Sequence, residues 1–326
     1  MTLRFHLLAI LAAALTVPCS PARAAAIRYG WQKVDGLEIF YREGGAPAAP
    51  TIVLLHGNPA SSIQYEKLME RIASPTLHVI AMDYPSFGYS SAPGARQYAY
   101  TFDHVAETVS HFLAARGIER YALFMQDYGV PVGFRLIAAD PGAITAVMVQ
   151  NGVIHLDGFP LAQDPNGELR RHWRHRNAAI DQRRITYIRS LEFPQPQQWD
   201  EDDKLSPDTV LLMMASEQRP GVPIARADLW FDYGSNVKRY PEWQAMLKRL
   251  QPPTLVIWGS RDDFFTVPGA VAYLKEVPRA EVHILDTVHF ATLEEPGEVA
   301  RIILDFVARH PLAAPGAHQA RMLPAH

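Results

Sequence analysis

The chain is 326 residues long, 48% hydrophobic and 20% charged, with a mean hydropathy near zero at −0.08. That excludes a disordered or collagen-like protein and allows one large domain, or a domain carrying an inserted lobe. A formal net charge of −3, with the basic residues scattered, leaves no footprint for nucleic acid and points to a small-molecule partner.

The N-terminus is set apart before the fold is read. Arg4 is followed by an apolar run from Phe5 to Val17, then Pro18 and the small-residue stretch Ala22-Arg23-Ala24, the layout of a secretory signal. The run is 13 residues long, whereas a membrane span needs about 20. Residues 1–24 are therefore read as a signal peptide, with cleavage after Ala24 or Ala26. The mature protein is expected in the periplasm or outside the cell, without a membrane span; a retained anchor is the competing reading. Cys19, the only cysteine, lies inside this segment behind Pro18, which suits a lipoprotein site poorly. The mature chain then has no disulfide, no thiolate nucleophile and no cysteine metal site, in keeping with an oxidising compartment. Loss of Arg4 and Arg23 takes 31 basic residues to 29 against 34 acids, a mature charge of −5.

Beyond the signal, β-rich apolar runs alternate with helical patterns. The runs are Leu37 to Tyr41, Thr51 to His56, His78 to Met82, Tyr121 to Gln126 and Ile144 to Val153, then, after a long gap, Thr254 to Trp258 and Ala280 to Leu285. Such alternation predicts βαβ units and a parallel sheet with helices on both faces. Thr101 to Ala115 carries apolar residues at helical spacing, as does Glu298 to Arg309 through Val299, Ile302, Ile303 and Phe306. From about Leu156 to Pro252 the strand pattern stops. Charge-rich helical segments replace it, among them Arg170 to Leu191 and the Ser206-Pro207 start signal before Leu211 to Ala215. Residues 25–155 and 253–312 read as the two parts of an α/β core, 156–252 as an inserted helical cap, and the Ala- and Pro-rich 313–326 as a flexible tail.

The chemistry begins at Phe124-Met125-Gln126-Asp127-Tyr128-Gly129, where a strand pattern ends shortly before the helical Val132 to Ala139. A reactive side chain at a strand–turn–helix junction, with glycine two residues on, has the layout of a nucleophile elbow. An aspartate at this place also reads as a helix N-cap. Other segments favour the elbow. His56-Gly57-Asn58-Pro59 and Asp83-Tyr84-Pro85-Ser86-Phe87-Gly88-Tyr89-Ser90 each follow a strand, at the strand ends where open parallel sheets bind ligands. Trp258-Gly259-Ser260-Arg261-Asp262 and Asp286-Thr287-Val288-His289-Phe290 follow two later strands. A lone loop His or Asp is more often structural, but nucleophile, acid and histidine stand here in a catalytic order, each just beyond a strand.

With these motifs the sequence resembles the α/β-hydrolase superfamily, in the branch of haloalkane dehalogenases and soluble epoxide hydrolases. The Gln-Asp-aromatic-Gly elbow and His-Gly-Asn-Pro carry the likeness, which spans the mature chain to about Pro311. It implies a mostly parallel eight-stranded sheet with helices on both faces and an inserted helical cap. It also implies Asp127 as nucleophile, His289 as base and Asp262 as the acid that orients it. Asp262 is preferred to the adjoining Asp263 for its place in Trp-Gly-x-x-Asp. An acid taken after the sixth strand instead would be needed near Asn151-Gly152, and Asp157 comes several residues late. The backbone N–H groups of Asn58 and Tyr128 are the implied oxyanion hole, and no metal or organic cofactor is implied.

An aspartate, with a reference pKa of about 3.9, is ionised at neutral pH, so His289 is needed only to hydrolyse the alkyl-enzyme ester formed first. The leaving group divides two readings of a substrate that is small and apolar or weakly polar. A halide wants N–H donors: Asn58 suits one, but Tyr128 stands where dehalogenases have a second donor, a Trp. An opened epoxide wants O–H donors from the cap, for which Tyr233 and the earlier Tyr187 are the candidates, although Tyr233 reads equally well as lobe packing and Tyr187 more readily so. Epoxide hydrolase is the preferred reading and haloalkane dehalogenase the alternative. An esterase or lactonase is disfavoured because a carboxylate attacking an acyl carbon gives an anhydride, and a non-catalytic binding protein because His289 and Asp262 are intact. The Arg170 to Arg176 run reads as a solvated helix face. Trp173, Trp199, Trp230 and Phe231 read as tunnel wall or lobe core, and Asp200 to Asp203 as a polar loop.

Overall fold

The computed structural model describes residues 26–159, 164, 166–191 and 205–314. Its centre is one eight-stranded sheet in the order β1-β2-β4-β3-β5-β6-β7-β8. The strands are β1 (Arg28–Val34), β2 (Leu37–Gly44), β3 (Thr51–Leu55), β4 (His78–Met82), β5 (Tyr121–Gln126), β6 (Ile144–Gln150), β7 (Thr254–Gly259) and β8 (Glu281–Leu285). β2 pairs antiparallel with β1 and with β4; every other pairing is parallel. The helices are α1 (Glu66–Ile72), α2 (Phe102–Ala115), α3 (Gly129–Ala139), α4 (Glu168–Arg174), α5 (Ala178–Arg189), α6 (Pro207–Glu217), α7 (Val222–Leu250), α8 (Val267–Ala272), α9 (Ala291–Glu294) and α10 (Pro296–Arg309).

The central strands are continuous apolar runs because helices cover both of their faces. Along β5 the faces alternate. Leu123 and Met125 join the core beneath α2 and α3, while Ala122 and Phe124 join the one beneath α1 and α10. In α10 the residues picked out by spacing, Val299, Ile302, Ile303 and Phe306, are all buried against that second face.

Three local features depart from the sequence reading. β1 was not among the apolar runs, since it is an edge strand whose Tyr29 and Trp31 are exposed. It is joined to β2 by Asp35-Gly36 in left-handed backbone (φ 51° and 79°), the hairpin turn an Asp-Gly pair favours. β6 stops at Gln150 rather than Val153, because Asn151 turns into left-handed backbone at φ 43°. The Arg170 to Leu191 segment is broken into α4 and α5 by Asn177, whose side chain caps α5 through the N–H of Ala179 at 2.9 Å.

Among the described residues, the α-helices α4 to α7 lie between β6 and β7. α7, of 29 residues with Pro241 inside it, was not read as one helix; its Tyr233 ring lies 6.0 Å from that of Tyr128, just past β5. Arg226 of α7 is fully buried and fastens this segment to the loop after β4. Its guanidinium donates to Ser86 Oγ at 2.8 Å, Ser86 O at 2.9 Å and Glu217 Oε1 at 2.7 Å, and it lies over the Phe87 ring. Among the described residues no helix is long and apolar enough to cross a membrane; the apolar run from Phe5 to Val17 and the tail after Ala314 lie outside them.

Candidate active site

The parallel register brings the C-terminal ends of β3, β5, β6 and β7 level, with Leu55 opposite Met125, Gln126 opposite Gln150, and Gln150 opposite Ile257. The site is built on that line. Asp127 follows β5 in left-handed backbone at φ 49°, an unfavourable conformation for a non-glycine residue that persists where the surroundings enforce it. Gly129 makes the turn possible, since a Cβ there would overlap the carbonyl of Leu55. α3 starts with Tyr128 as its N-cap and without a side-chain cap bond. The Asp127 carboxylate points instead to the loop after β3, where it accepts the Asn58 N–H at 2.8 Å. The Tyr128 N–H favours its charged form as well.

His289, after β8, meets Asp127 from the other side, its Nε2 3.7 Å from Asp127 Oδ2. Its Nδ1 lies 2.8 Å from Asp262 Oδ2, so of the two adjoining aspartates it is Asp262 that reaches the ring; Asp263 is exposed. Asp262 is itself fixed, taking the Phe264 N–H on Oδ1 at 2.7 Å and the Asn151 amide on Oδ2 at 2.6 Å. Asp157 is exposed and paired with Lys275.

Burial pushes the Asp127 carboxyl above its ordinary value, while His289 and the Asn58 and Tyr128 N–H groups pull it back. Burial alone would lower His289. The hydrogen bond and charge of Asp262, with the charge of Asp127, outweigh it and leave His289 above 6.5. In the His-Gly-Asn-Pro loop His56 is structural and neutral, pushed down to about 3 by burial. Its Nδ1 lies 2.9 Å from the Gly57 carbonyl and its Nε2 accepts the Tyr84 N–H at 3.1 Å. Asp83 is likewise buried structure, accepting the N–H groups of Ser62 at 2.7 Å and Tyr89 at 2.8 Å.

On α7, Tyr233 is 4% exposed. Its ring stacks on Trp173 at 5.2 Å and lies edge-on to Phe159 and Phe102, with Tyr128 6.0 Å away. Its hydroxyl lies 3.3 Å from that of Tyr240, also buried and two turns along α7. Burial raises both phenols, and the charge of Asp127 reaches both. Tyr187 is placed elsewhere: it is 58% exposed on α5, a helix whose few buried positions leave this ring on the solvent side. The second buried tyrosine is thus Tyr240, which sequence reasoning missed; its seven-residue spacing from Tyr233 on one helix was the available signal.

Gln126, Gln150 and Asn151 were also missed as site residues, though Gln126 was part of the quoted elbow. Of the aromatics, Trp173 lines the site, and its indole N–H is spent on the Trp230 carbonyl at 3.0 Å. Trp230 lies beneath Arg184 and Phe231 beneath Arg176. Within the basic run Arg170 pairs with Asp164 and Arg176 with Asp181 and Asp228, while His172 and Trp173 are buried. Trp199 and Asp200 to Asp203 lie outside the described residues.

The family model of the alpha/beta hydrolase fold matches residues 50–296. An uncharacterized hydrolase of Saccharomyces cerevisiae is 35% identical over 284 residues, 86% of this chain and 96% of that protein. A haloalkane dehalogenase of Mycolicibacterium paratuberculosis is 26% identical over 83% of this chain and 87% of its own. Among solved structures, the epoxide hydrolase CorEH superposes with a TM-score of 0.67 at 18% identity, covering 87% of this chain and 99% of that one. Sheet order, elbow and family match agree, and the protein belongs to the α/β-hydrolase family, as a hydrolase.

Proposed function

We propose that this hydrolase opens epoxides to vicinal diols through an alkyl ester on Asp127. The observation that carries this reading is the pair of buried phenols, Tyr233 and Tyr240, 3.3 Å apart and both reached by the charge of Asp127. The Asp127 carboxylate attacks an epoxide carbon, the ring C–O bond breaks, and the alkoxide takes the Tyr233 proton. The N–H groups of Asn58 and Tyr128 bracket the ester carbonyl as an oxyanion hole. His289 then takes a proton from water, whose oxygen adds to the Asp127 carbonyl carbon. Collapse expels the diol oxygen, which recovers a proton from the imidazolium, whose charge Asp262 balances while it lasts; the second water proton, left on the Asp127 carboxyl, is then released, restoring the carboxylate and the proton that Tyr233 gave up.

A second reading, halide release by a haloalkane dehalogenase, is favoured by one observation, that Asn58 adjoins the nucleophile, its backbone N–H 2.8 Å from Asp127 Oδ1. Against it, the residue after Asp127 is Tyr128, and the indole of Trp173, the tryptophan beside Tyr233, already has its acceptor. Incubation with a panel of terminal epoxides and bromoalkanes, reading diol and bromide separately, tests the choice. Diol without bromide supports the epoxide reading, and bromide release alone overturns it. We also propose export, on the strength of the N-terminal apolar run.

A further inference from the structure

Two glutamines end adjacent parallel strands directly beneath His289. Gln126 closes β5, Gln150 closes β6, and the two are register partners. Both are fully buried. Gln126 Nε2 lies 2.7 Å from His289 Nε2. Gln150 Nε2 donates to the His289 carbonyl at 2.8 Å and to Asn151 Oδ1 at 2.7 Å. Each amide turns its NH2 toward the histidine and leaves its Oε1 buried without a hydrogen-bond partner. Gly57 leaves the room that Gln126 fills, since a Cβ there would overlap Gln126 Oε1 and the side chain of Asp127.

An amide NH2 only donates, so His289 Nε2 is the acceptor and its lone pair faces Gln126. The other ring nitrogen faces an ionised carboxylate, which only accepts. Together these contacts specify a neutral imidazole protonated on Nδ1, the tautomer that a base acting through Nε2 requires. The surrounding charges favour the opposite state. Asp262 lies 2.8 Å from the ring and Asp127 3.7 Å, and both stabilise imidazolium. The other groups around it do not oppose them. Glu294 of α9 accepts the Val288 N–H at 3.2 Å, Tyr233 of α7 is held neutral by burial, and Phe264, Phe265 and Phe290 present rings.

We propose that Gln126 is a positioning residue that holds His289 as the neutral Nδ1–H tautomer, so that the two neighbouring carboxylates do not turn the base into imidazolium before the ester forms. The proposal rests on the ester reading only in its kinetic consequence. Its physical content is a hydrogen bond made to the neutral ring, which gives way to the hydrolytic water when Nε2 acts as base and is lost when Nε2 gains a proton, so that it opposes protonation. Gln150 holds the His289 backbone from the next strand, and Gln126 sets the ring.

Nitrogen NMR of the histidine ring, in the parent and in Gln126→Met and Gln126→Glu, tests this. In the parent, at a pH above the His289 transition, the expected signature is protonated Nδ1 and bare, hydrogen-bonded Nε2. Gln126→Met, of similar volume, should raise the His289 pKa by about one unit, the equivalent of one lost hydrogen bond. Gln126→Glu should raise it further. The acid limb of ester hydrolysis should move by the same amount, slowing turnover about 10-fold just below it. A His289 pKa unchanged or lowered in Gln126→Met overturns the proposal. So does a parent ring carrying its proton on Nε2, a measurement that needs no variant to fold. Failure of the ester reading shows differently, as no substrate adduct on the enzyme while the pKa shift persists.

Discussion

Asn151 Nδ2 donates to Asp262 Oδ2 at 2.6 Å, the same oxygen that faces His289 Nδ1 at 2.8 Å. The amide is locked in turn, its Oδ1 accepting the Gly259 N–H at 2.9 Å and the Gln150 amide at 2.7 Å. Asn151 therefore joins the ends of β6 and β7 and sets the carboxylate against the imidazole. Asn151→Ala leaves buried donors and an acceptor unpaired and is expected to cost about 1–3 kcal/mol of stability. It should also lower kcat about 10-fold or more through a loosened Asp262. A thermal melt and single-turnover kinetics check the two separately; unchanged kcat would show that Asp262 is held without it.

Much of this was legible in the sequence because strand ends, elbow and loop motifs are local in the chain. Asp127, His289 and Asp262 each stand just past an apolar run, so the sheet register alone gathers them. The helices between β6 and β7 were less legible. α7 carries Gly234 and Pro241 and is buried along much of its length, so it shows no clean amphipathic stripe. Its Tyr233 was found through a resemblance and its Tyr240 was not. Gln126 and Gln150 were hidden for another reason. Polar residues at the end of a buried strand read as the strand's edge until the partner that satisfies them, here a histidine 163 and 139 residues away, is seen in space.

The tyrosine pair gives an ordered expectation. Tyr233→Phe should lower epoxide turnover about 10-fold or more, the scale of one lost donor to a developing oxyanion. Tyr240→Phe should cost less if its hydroxyl acts through that of Tyr233. Tyr187→Phe, exposed on α5, should change nothing. Initial rates on one epoxide, with a thermal melt for each variant, check the order. Equal rates for Tyr233→Phe and parent would move the reading to halide release.

The pH dependence of activity and of stability should run in opposite senses at His289. Its folded value lies above 6.5, so ester hydrolysis should fall as pH drops through that raised value. Its contribution to stability is full below 6.5 and is lost as pH rises through the folded value. His56 and Glu43 act the other way. Burial holds His56 down to about 3, and the His78 hydrogen bond with the Arg116 charge holds Glu43 down to about 2. Each therefore stabilises the fold above its unfolded value. His56 loses that contribution as pH falls from 6.5 toward 3, and Glu43 as it falls from 4.5 toward 2. Melting temperatures across this range should decline on the acid side, and less steeply in Glu43→Gln below pH 4.5.

Export is checked by expressing the full chain in a bacterium with a secretion system. The mature protein is expected outside the cytoplasm, its N-terminus at or close to Ala25, read by N-terminal sequencing. Active enzyme retaining Met1 would show that the apolar run is not a cleaved signal.

The two-step chemistry makes the nucleophile and the leaving group readable in one experiment. Asp127 attacks as a carboxylate and needs no base, whereas hydrolysis of the ester needs His289. His289→Gln should therefore be alkylated and stall, while an enzyme whose nucleophile must first be deprotonated would fail at the opening step. Intact mass should rise on adding substrate. An epoxide opens without losing atoms, so its adduct adds the full substrate mass; a haloalkane adduct adds the substrate mass less one hydrogen halide. Peptide mapping should place the adduct on Asp127, and Asp127→Ala in the same background should abolish it. Because Asp127 lies 3.7 Å from His289 and keeps the Asn58 N–H at 2.8 Å, the substitution at 289 leaves the nucleophile held. A stalled adduct on another residue, or none with a substrate the parent turns over, would reject the ester mechanism.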